Sequence, residues 1–266
     1  MKKTLVAFSG GLDSTALLFR LLKETDEIVS TFWMDLAHIT YQDKSGRTVP
    51  YNHELIPSER VVGQRVIDWL SKNIRPVNLE IVEGVKYEPE PADYPLGTSR
   101  GWRVLPMLKV AAKIVNRDGL DRFVYGKSPE NLRTANQAAR DAWYRQWWQD
   151  NAPGTTFETP LIERWEGRPH HLQLLPSELR AIVLTCNAPK IVDGEPEICG
   201  NCEKCHLTAE SERLLKDGVS ADMVLDFLLR RRRAGPYIDS ISFADKRIGG
   251  GVPPREFPLY SEGVVK

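Results

Sequence analysis

The chain is short of three things, and each shortage removes a class of function. Net charge is absent: 36 Lys and Arg balance 36 Asp and Glu over 266 residues. No global field therefore draws the protein to nucleic acid or to an anionic membrane. Long apolar runs are also missing. None approaches the roughly 18 residues that a membrane helix needs, and Met1-Lys2-Lys3 leads into an apolar stretch too short for a secretory signal. The expectation is a soluble, cytoplasmic protein with no membrane partner. Cysteine is scarce, four in all, and every one falls between Cys186 and Cys205. That leaves no thiol elsewhere for sulfur chemistry. In a reducing compartment such a cluster reads as metal ligands before disulfides. With 41% hydrophobic residues, the length supports a full core, as one α/β domain with an appendage or as two small domains.

The most informative segment lies at the amino end. The apolar run Thr4–Phe8 is followed by Ser9-Gly10-Gly11-Leu12-Asp13-Ser14 and then by Thr15-Ala16-Leu17-Leu18-Phe19, which predicts strand, small-residue loop and helix. Gly10 and Gly11 let the backbone bend tightly and approach a ligand without a Cβ in the way. The first N–H groups of the helix have no intrahelical partner, and its dipole adds partial positive charge. Ser9 and Ser14 can donate to phosphate oxygens, and Asp13 can help to hold Mg²⁺. Lysine is missing from this loop, so it is not the G-x-x-x-x-G-K-[ST] loop of common NTPases.

The hexapeptide Ser9–Ser14 resembles the signature of the PP-loop ATP pyrophosphatases. The resemblance implies cleavage of ATP to AMP and pyrophosphate, with AMP passed to an oxygen of a carbonyl or carboxylate. A nitrogen or sulfur nucleophile then displaces it.

The cysteine segment is the second signal. Cys199-Gly200-Asn201-Cys202-Glu203-Lys204-Cys205 holds two overlapping CxxC pairs, and Cys186 lies one loop upstream. Four thiolates suit tetrahedral Zn²⁺ in a closed, structural site, and Gly200 permits the tight turn. A redox-active CxxC or an iron–sulfur cluster would use similar ligands. His206 adjoins the cluster as a bystander.

With Phe157-Glu158-Thr159-Pro160-Leu161, Leu184-Thr185-Cys186 and C-G-x-C-x-x-C added to the loop, the chain looks like the QueC family, the 7-cyano-7-deazaguanine synthases of queuosine biosynthesis. The resemblance covers roughly residues 4 to 215. It implies a parallel-sheet PP-loop domain of Rossmann-like type over 1–185 and a Cys₄ zinc-binding segment that opens the helical stretch 186–233; beyond the resemblance, Gly249-Gly250-Gly251-Val252-Pro253-Pro254 marks 234–266 as an irregular tail. The resemblance also implies ATP, Mg²⁺ and Zn²⁺ as cofactors, with a deazapurine carboxylate and ammonia as substrates. In PP-loop enzymes the residues ending the second strand bracket the adenine, so the resemblance makes Trp33, Met34 and Asp35 candidates for nucleotide contact; plain core is the alternative for Trp33 and Met34.

Between the two signals the pattern alternates strand and helix. Glu27–Met34, Val77–Val82 and Arg122–Gly126 read as strands, and helices follow Ser58, Gly101 and Thr134. The Pro-rich stretch Tyr87–Pro95 reads as a loop. Arg100 and Arg103 are candidates for phosphate or carboxylate binding, against plain surface charge, although the asparagine of the family's Gly-Arg-Asn is not found there. Gly126, Lys127 and Glu130 follow a strand end, where ligands bind in open α/β sheets. Lys127 is expected to face the phosphates or the activated group, and Asp13, Ser14 and Lys127 are the catalytic candidates. Trp143, Trp147 and Trp148 read as core or as a homodimer face, with a base-stacking platform as the sharper alternative. Arg230–Arg233 compensates a helix dipole or meets a nucleic-acid or protein partner.

The leading expectation is a QueC-like ligase. Alternatives are a substrate-diverged relative that conjugates a deazapurine to a partner, a PP-loop tRNA-modifying enzyme, and an ATP-binding scaffold subunit without turnover.

Overall fold

The computed structural model describes residues 1–35, 40–42, 48–50, 55–83, 85, 104–131 and 137–234. β1 (Lys3–Ala7) is buried from its second residue onward, as a strand covered on both faces must be. The chain continues through α1 (Leu12–Glu24), β2 (Ile28–Met34), the short β3 (Thr40–Gln42) and β4 (Thr48–Pro50), α2 (Leu55–Asn73) and β5 (Leu79–Val82). Next come α3 (Val104–Asp118), β6 (Arg122–Tyr125), α4 (Gln137–Asn151) and β7 (Thr156–Glu158). Three short helices follow, α5 (Pro160–Glu163), α6 (Arg168–Leu174) and α7 (Ser177–Ile182). The described chain ends with β8 (Lys190–Val192), β9 (Glu195–Glu197), α8 (Glu203–Lys216) and α9 (Ala221–Ala234).

Five strands form one parallel sheet in the order β5-β2-β1-β6-β7. The chain builds outward from β1 through β2 to β5, then returns to lay β6 on the other side of β1. Period-two alternation divides the strand side chains between two layers. Leu5, Ala7, Phe32, Met34 and Phe123 face a cluster with Met107, Leu108 and Ala111 of α3 and Tyr144 and Trp148 of α4. Phe8 and Trp33 face the opposite cluster, with Leu12 and Phe19 of α1 and Val62, Val66 and Leu70 of α2. The expected α/β class with a parallel sheet and a carboxyl-terminal Cys₄ segment is therefore what the chain forms.

Two readings shift. Phe157–Leu161 is not one extended edge: the strand ends at Glu158, and Pro160 opens α5, where its missing N–H costs nothing. Trp148 is fully buried, stacked on Phe123 at 5.1 Å, with its indole N–H donating to Thr155 Oγ1 at 3.1 Å. It is core, not a platform for a base.

The cysteine segment carries a hairpin that no sequence expectation included. β8 and β9 pair around Asp193-Gly194, both in left-handed conformation, the geometry of a two-residue hairpin turn. Arg65 of α2 holds this hairpin through two bonds to Glu195, at 2.6 and 2.7 Å. Cys186, Cys202 and Cys205 share a hydrophobic cluster with Phe8, Leu12, Leu172 and Leu184, so this core runs across residue 185. Arg100, Arg103 and the tail from residue 235 lie outside the described residues. Among the described residues, no helix is long and apolar enough to cross a membrane.

Candidate functional site

The point where strand order reverses lies between β1 and β6, and in open α/β sheets that crevice is where ligands bind. Two loops leave it side by side. The first, after β1, rests on α2: Gly10 adopts φ +68°, and a Cβ there would sit 2.7 Å from the Gly63 nitrogen. Only glycine satisfies both conditions. Gly11 then caps α1 in extended conformation without a side-chain hydrogen bond, and the first backbone bond back into the helix is Thr15 N to Gly11 O at 3.0 Å. The opening N–H groups of α1 are thus left without a side-chain cap. Ser9 and Ser14 lie with their hydroxyls 3.4 Å apart, and Ser14 donates to Gly11 O at 3.1 Å.

The second loop starts at Gly126. A Cβ on this residue would fall 3.1 Å from Ser14 Cα and 3.2 Å from Ser14 N. The absent side chain keeps the amino end of α1 uncovered. Backbone N–H groups, two hydroxyls and a helix dipole set together are the donors that a phosphate-sized anion requires. Of the candidates Ser9, Gly10, Gly11, Leu12, Asp13, Ser14 and Gly126, the first six are contiguous, and the structure sets Gly126 against Ser14 and Asp13.

Asp13 is clamped from two sides. Its Oδ2 accepts from Ser128 Oγ at 3.0 Å, and its Oδ1 lies 3.0 Å from His171 Nδ1. Burial works against ionisation of this carboxyl, but the His171 hydrogen bond, with the charges of His171, Arg168 and Lys204, outweighs it and holds the pKa well below the usual range. About a quarter of the Asp13 side chain (24%) stays exposed.

The remaining candidates are placed differently. Lys127 is mostly buried, with its Nζ 2.5 Å from Asp141 Oδ1. It stands at the crevice but is engaged with that carboxylate. Glu130 is buried in the turn Pro129–Asn131 and accepts from the Arg168 backbone N–H at 2.7 Å. A Cβ on Gly167 would strike its Oε2 at 2.5 Å, so glycine lets the two segments meet. Glu130 fixes the start of α6. Trp33 and Met34 are both buried in the layers flanking the sheet.

Beside this crevice lies the second site. Leu184 N donates to Gly10 O at 3.0 Å, and Leu184 bridges Gly11 in parallel, so the chain meets the loop two residues before Cys186. The Sγ atoms of Cys186, Cys199, Cys202 and Cys205 all lie within 4.8 Å of one another. A tetrahedral ion with metal–sulfur bonds of about 2.3 Å sets its sulfurs about 3.8 Å apart. Four irons would spread the thiolates further. The donor set fits one metal ion. Gly200, at φ +72°, supplies the expected turn, and the N–H groups of Asn187, Ala188 and Cys199 point at sulfur, each at 3.3 Å. The hydrogen bond from Cys186 pulls the Cys202 thiol down to about 3, whereas burial and Cys202 push Cys205 up to about 11.

Sequence reasoning missed His171 and Arg168, and it left Ser128 without a role. Asp13 is 115 residues from Ser128 and 158 from His171, and no local pattern announces either pairing.

No family model matches the chain, and no curated protein matches it in sequence. Among solved structures it is similar to the U34-tRNA thiolase NcsA from Methanococcus maripaludis with its 4Fe-4S cluster. The identity is 12% and the TM-score 0.46, over 86% of this chain and 72% of that one. It is also similar to a predicted subunit of tRNA methyltransferase from Methanocaldococcus jannaschii, at 11% identity and TM-score 0.35, over 96% of this chain and all of the other.

Proposed function

We propose that the chain is a PP-loop enzyme that binds MgATP between the ends of β1 and β6 and transfers its adenylyl group to an acyl oxygen. The observation that carries this reading is the uncapped start of α1 beneath Gly126, where a Cβ would crowd Ser14 at 3.1 Å. Phosphate oxygens would take the hydrogen bonds that the helix leaves unmade. The acceptor carboxylate attacks the α-phosphorus and pyrophosphate leaves; ammonia then attacks the acyl carbon and AMP leaves. Loop N–H groups and the hydroxyls of Ser9 and Ser14 stabilise the charge that develops on the phosphates. Asp13 is the residue that would hold Mg²⁺.

The acceptor we propose is 7-carboxy-7-deazaguanine, on the strength of the Phe157–Leu161, Leu184–Cys186 and Cys199–Cys205 motifs. The nucleophile is external, because all four cysteines of the chain sit in the metal cluster. The ion we assign to that cluster is Zn²⁺, in a closed structural site.

The test is AMP release from ATP, Mg²⁺ and ammonium, with and without 7-carboxy-7-deazaguanine, beside a parallel assay with bulk tRNA. AMP formed only with the deazapurine supports the full reading. AMP formed only with tRNA keeps the adenylyl transfer and moves the acceptor to an RNA base. ATP binding with no AMP under either condition defeats the enzyme assignment.

A further inference from the structure

His171 is fully buried, and only one of its ring nitrogens has a partner. Nδ1 meets Asp13 Oδ1 at 3.0 Å, while Nε2 is buried with no hydrogen-bond partner among the described residues. A buried imidazole with one nitrogen unmatched is a costly way to fill apolar space, and such a group in a native fold calls for a reason. A buried leucine would leave no polar atom unmatched. The bond to Asp13 supplies the reason. An ionised carboxylate only accepts, so Nδ1 carries the hydrogen between them.

The surroundings hold this histidine firmly. Glu130, in the loop after β6, accepts from the first backbone N–H of α6 at 2.7 Å, and Gly167 allows that close approach. Arg168 donates from its guanidinium to Thr208 Oγ1 of α8 at 2.7 Å, and Arg20 of α1 pairs with Glu166 just ahead of α6. The helix bearing His171 is therefore fixed to the β6 loop, to α8 and to α1. Ser128 Oγ completes the grip on Asp13 from the opposite side. Other charged groups acting on this carboxyl are Arg168, from α6, and Lys204, from α8.

We infer that His171 is a positioning residue for nucleotide binding: with Ser128, it fixes the rotamer of Asp13 at the mouth of the loop, so that the carboxylate meets a nucleotide-bound cation without reorganising. This rests on the adenylyl-transfer reading, because it needs a nucleotide at that mouth. His171 does not itself touch the ligand. A preorganised group matters through its placement, and displacement of about 1 Å can cost roughly 100-fold.

The experiment uses the full-length chain and a fluorescent N-methylanthraniloyl ATP with Mg²⁺ as the probe. His171→Leu fills the space without a donor, and His171→Asn returns an N–H close to the Nδ1 position. Circular dichroism and melting temperature confirm that each variant is folded. The expected result is that His171→Leu weakens probe binding by about ten-fold or more and His171→Asn restores it to within about three-fold of wild type. A merely structural role would lower the melting temperature of both variants and leave the affinity of the folded fraction unchanged. A His171→Leu protein that binds as tightly as wild type overturns the positioning role alone. So does a His171→Asn protein no better than His171→Leu. A wild-type protein that fails to bind the probe removes the nucleotide site itself, and this inference with it. If His171→Leu does not fold, Ser128→Ala takes its place: it trims an oxygen from the other side of the clamp and is expected to weaken binding without unfolding the chain. Unchanged affinity in that variant counts against the clamp.

Discussion

At the residue scale, the site is shaped by atoms that are missing. Gly126 lacks the Cβ that would press on Ser14, yet its backbone is not in the left-handed region. Alanine there meets no conformational penalty, only crowding by a few tenths of an ångström against the start of α1. Gly126→Ala should therefore weaken MgATP binding about ten-fold while lowering stability by less than about 1 kcal/mol. Nucleotide titration and urea unfolding of the same sample check the two halves. The loop was legible in the sequence because its parts are contiguous: strand, glycines, serines and helix follow one another from Lys3 to Glu24. The clamp on Asp13 was not, because His171 and Ser128 reach it only through the packing of α6 and the return of β6. Glu130 and Lys127 follow the β6 strand end, but their partners, the α6 backbone and Asp141, could not be read from the strand-end pattern.

At the element scale, strands and helices do two kinds of work. At the far edge of the sheet from the loops, Arg122 of β6 joins Glu27 and Glu158 at 2.5 Å each and donates to Thr4 of β1. Burial opposes ionisation of Glu27, but the hydrogen bonds from Thr4 and Arg122 and the charge of Arg122 lower its pKa. A carboxyl depressed in the folded state adds stability that is complete above its unfolded pKa, about 4.3, and is lost as pH falls through the folded value. Glu27→Gln should cost about 1–2 kcal/mol near pH 7, and the gap from wild type should close as pH drops below about 4. Chemical denaturation across that range measures it.

Trp148 shows the other kind of work. It stacks on Phe123 and lies 5.9 Å from Phe157, so α4 is locked to β6 and β7 by aromatic faces. Trp148→Ala should cost about 3–5 kcal/mol in denaturant unfolding. The helix was legible from its tryptophans, but their division was not: Trp148 is buried whereas Trp143 and Trp147 are only partly so. The β8–β9 hairpin was overlooked for a different reason. Asp193-Gly194 is a strong turn signal, but the flanking strands are three residues each and mostly exposed, so they carry no apolar alternation to read.

At the scale of the whole molecule, the cysteine segment and the layer of α1 and α2 share one core. Leu12 of α1, Leu184 and three of the four cysteines lie in a single hydrophobic cluster. Metal binding should therefore stabilise the whole fold and not a detached module. Purified protein is expected to carry one zinc per chain and to be colourless. Chelation should lower the melting temperature in one cooperative transition. A separate early transition, or visible absorption from iron, would contradict this. Both chemical signals were legible in the sequence, at opposite ends of its recognisable span. Their adjacency was not, because it depends on Leu184 returning to Gly10.

That return has a consequence for how the protein is made. The bond from Leu184 N to Gly10 O joins the first strand–loop unit to a segment synthesised more than 170 residues later. During translation the glycine loop can emerge, and its strand can begin to pair, but its wall is incomplete until the ribosome has released residue 184. A nascent chain shorter than that lacks this contact, so the glycine loop and the segment ahead of Cys186 can join only after residue 184 has emerged.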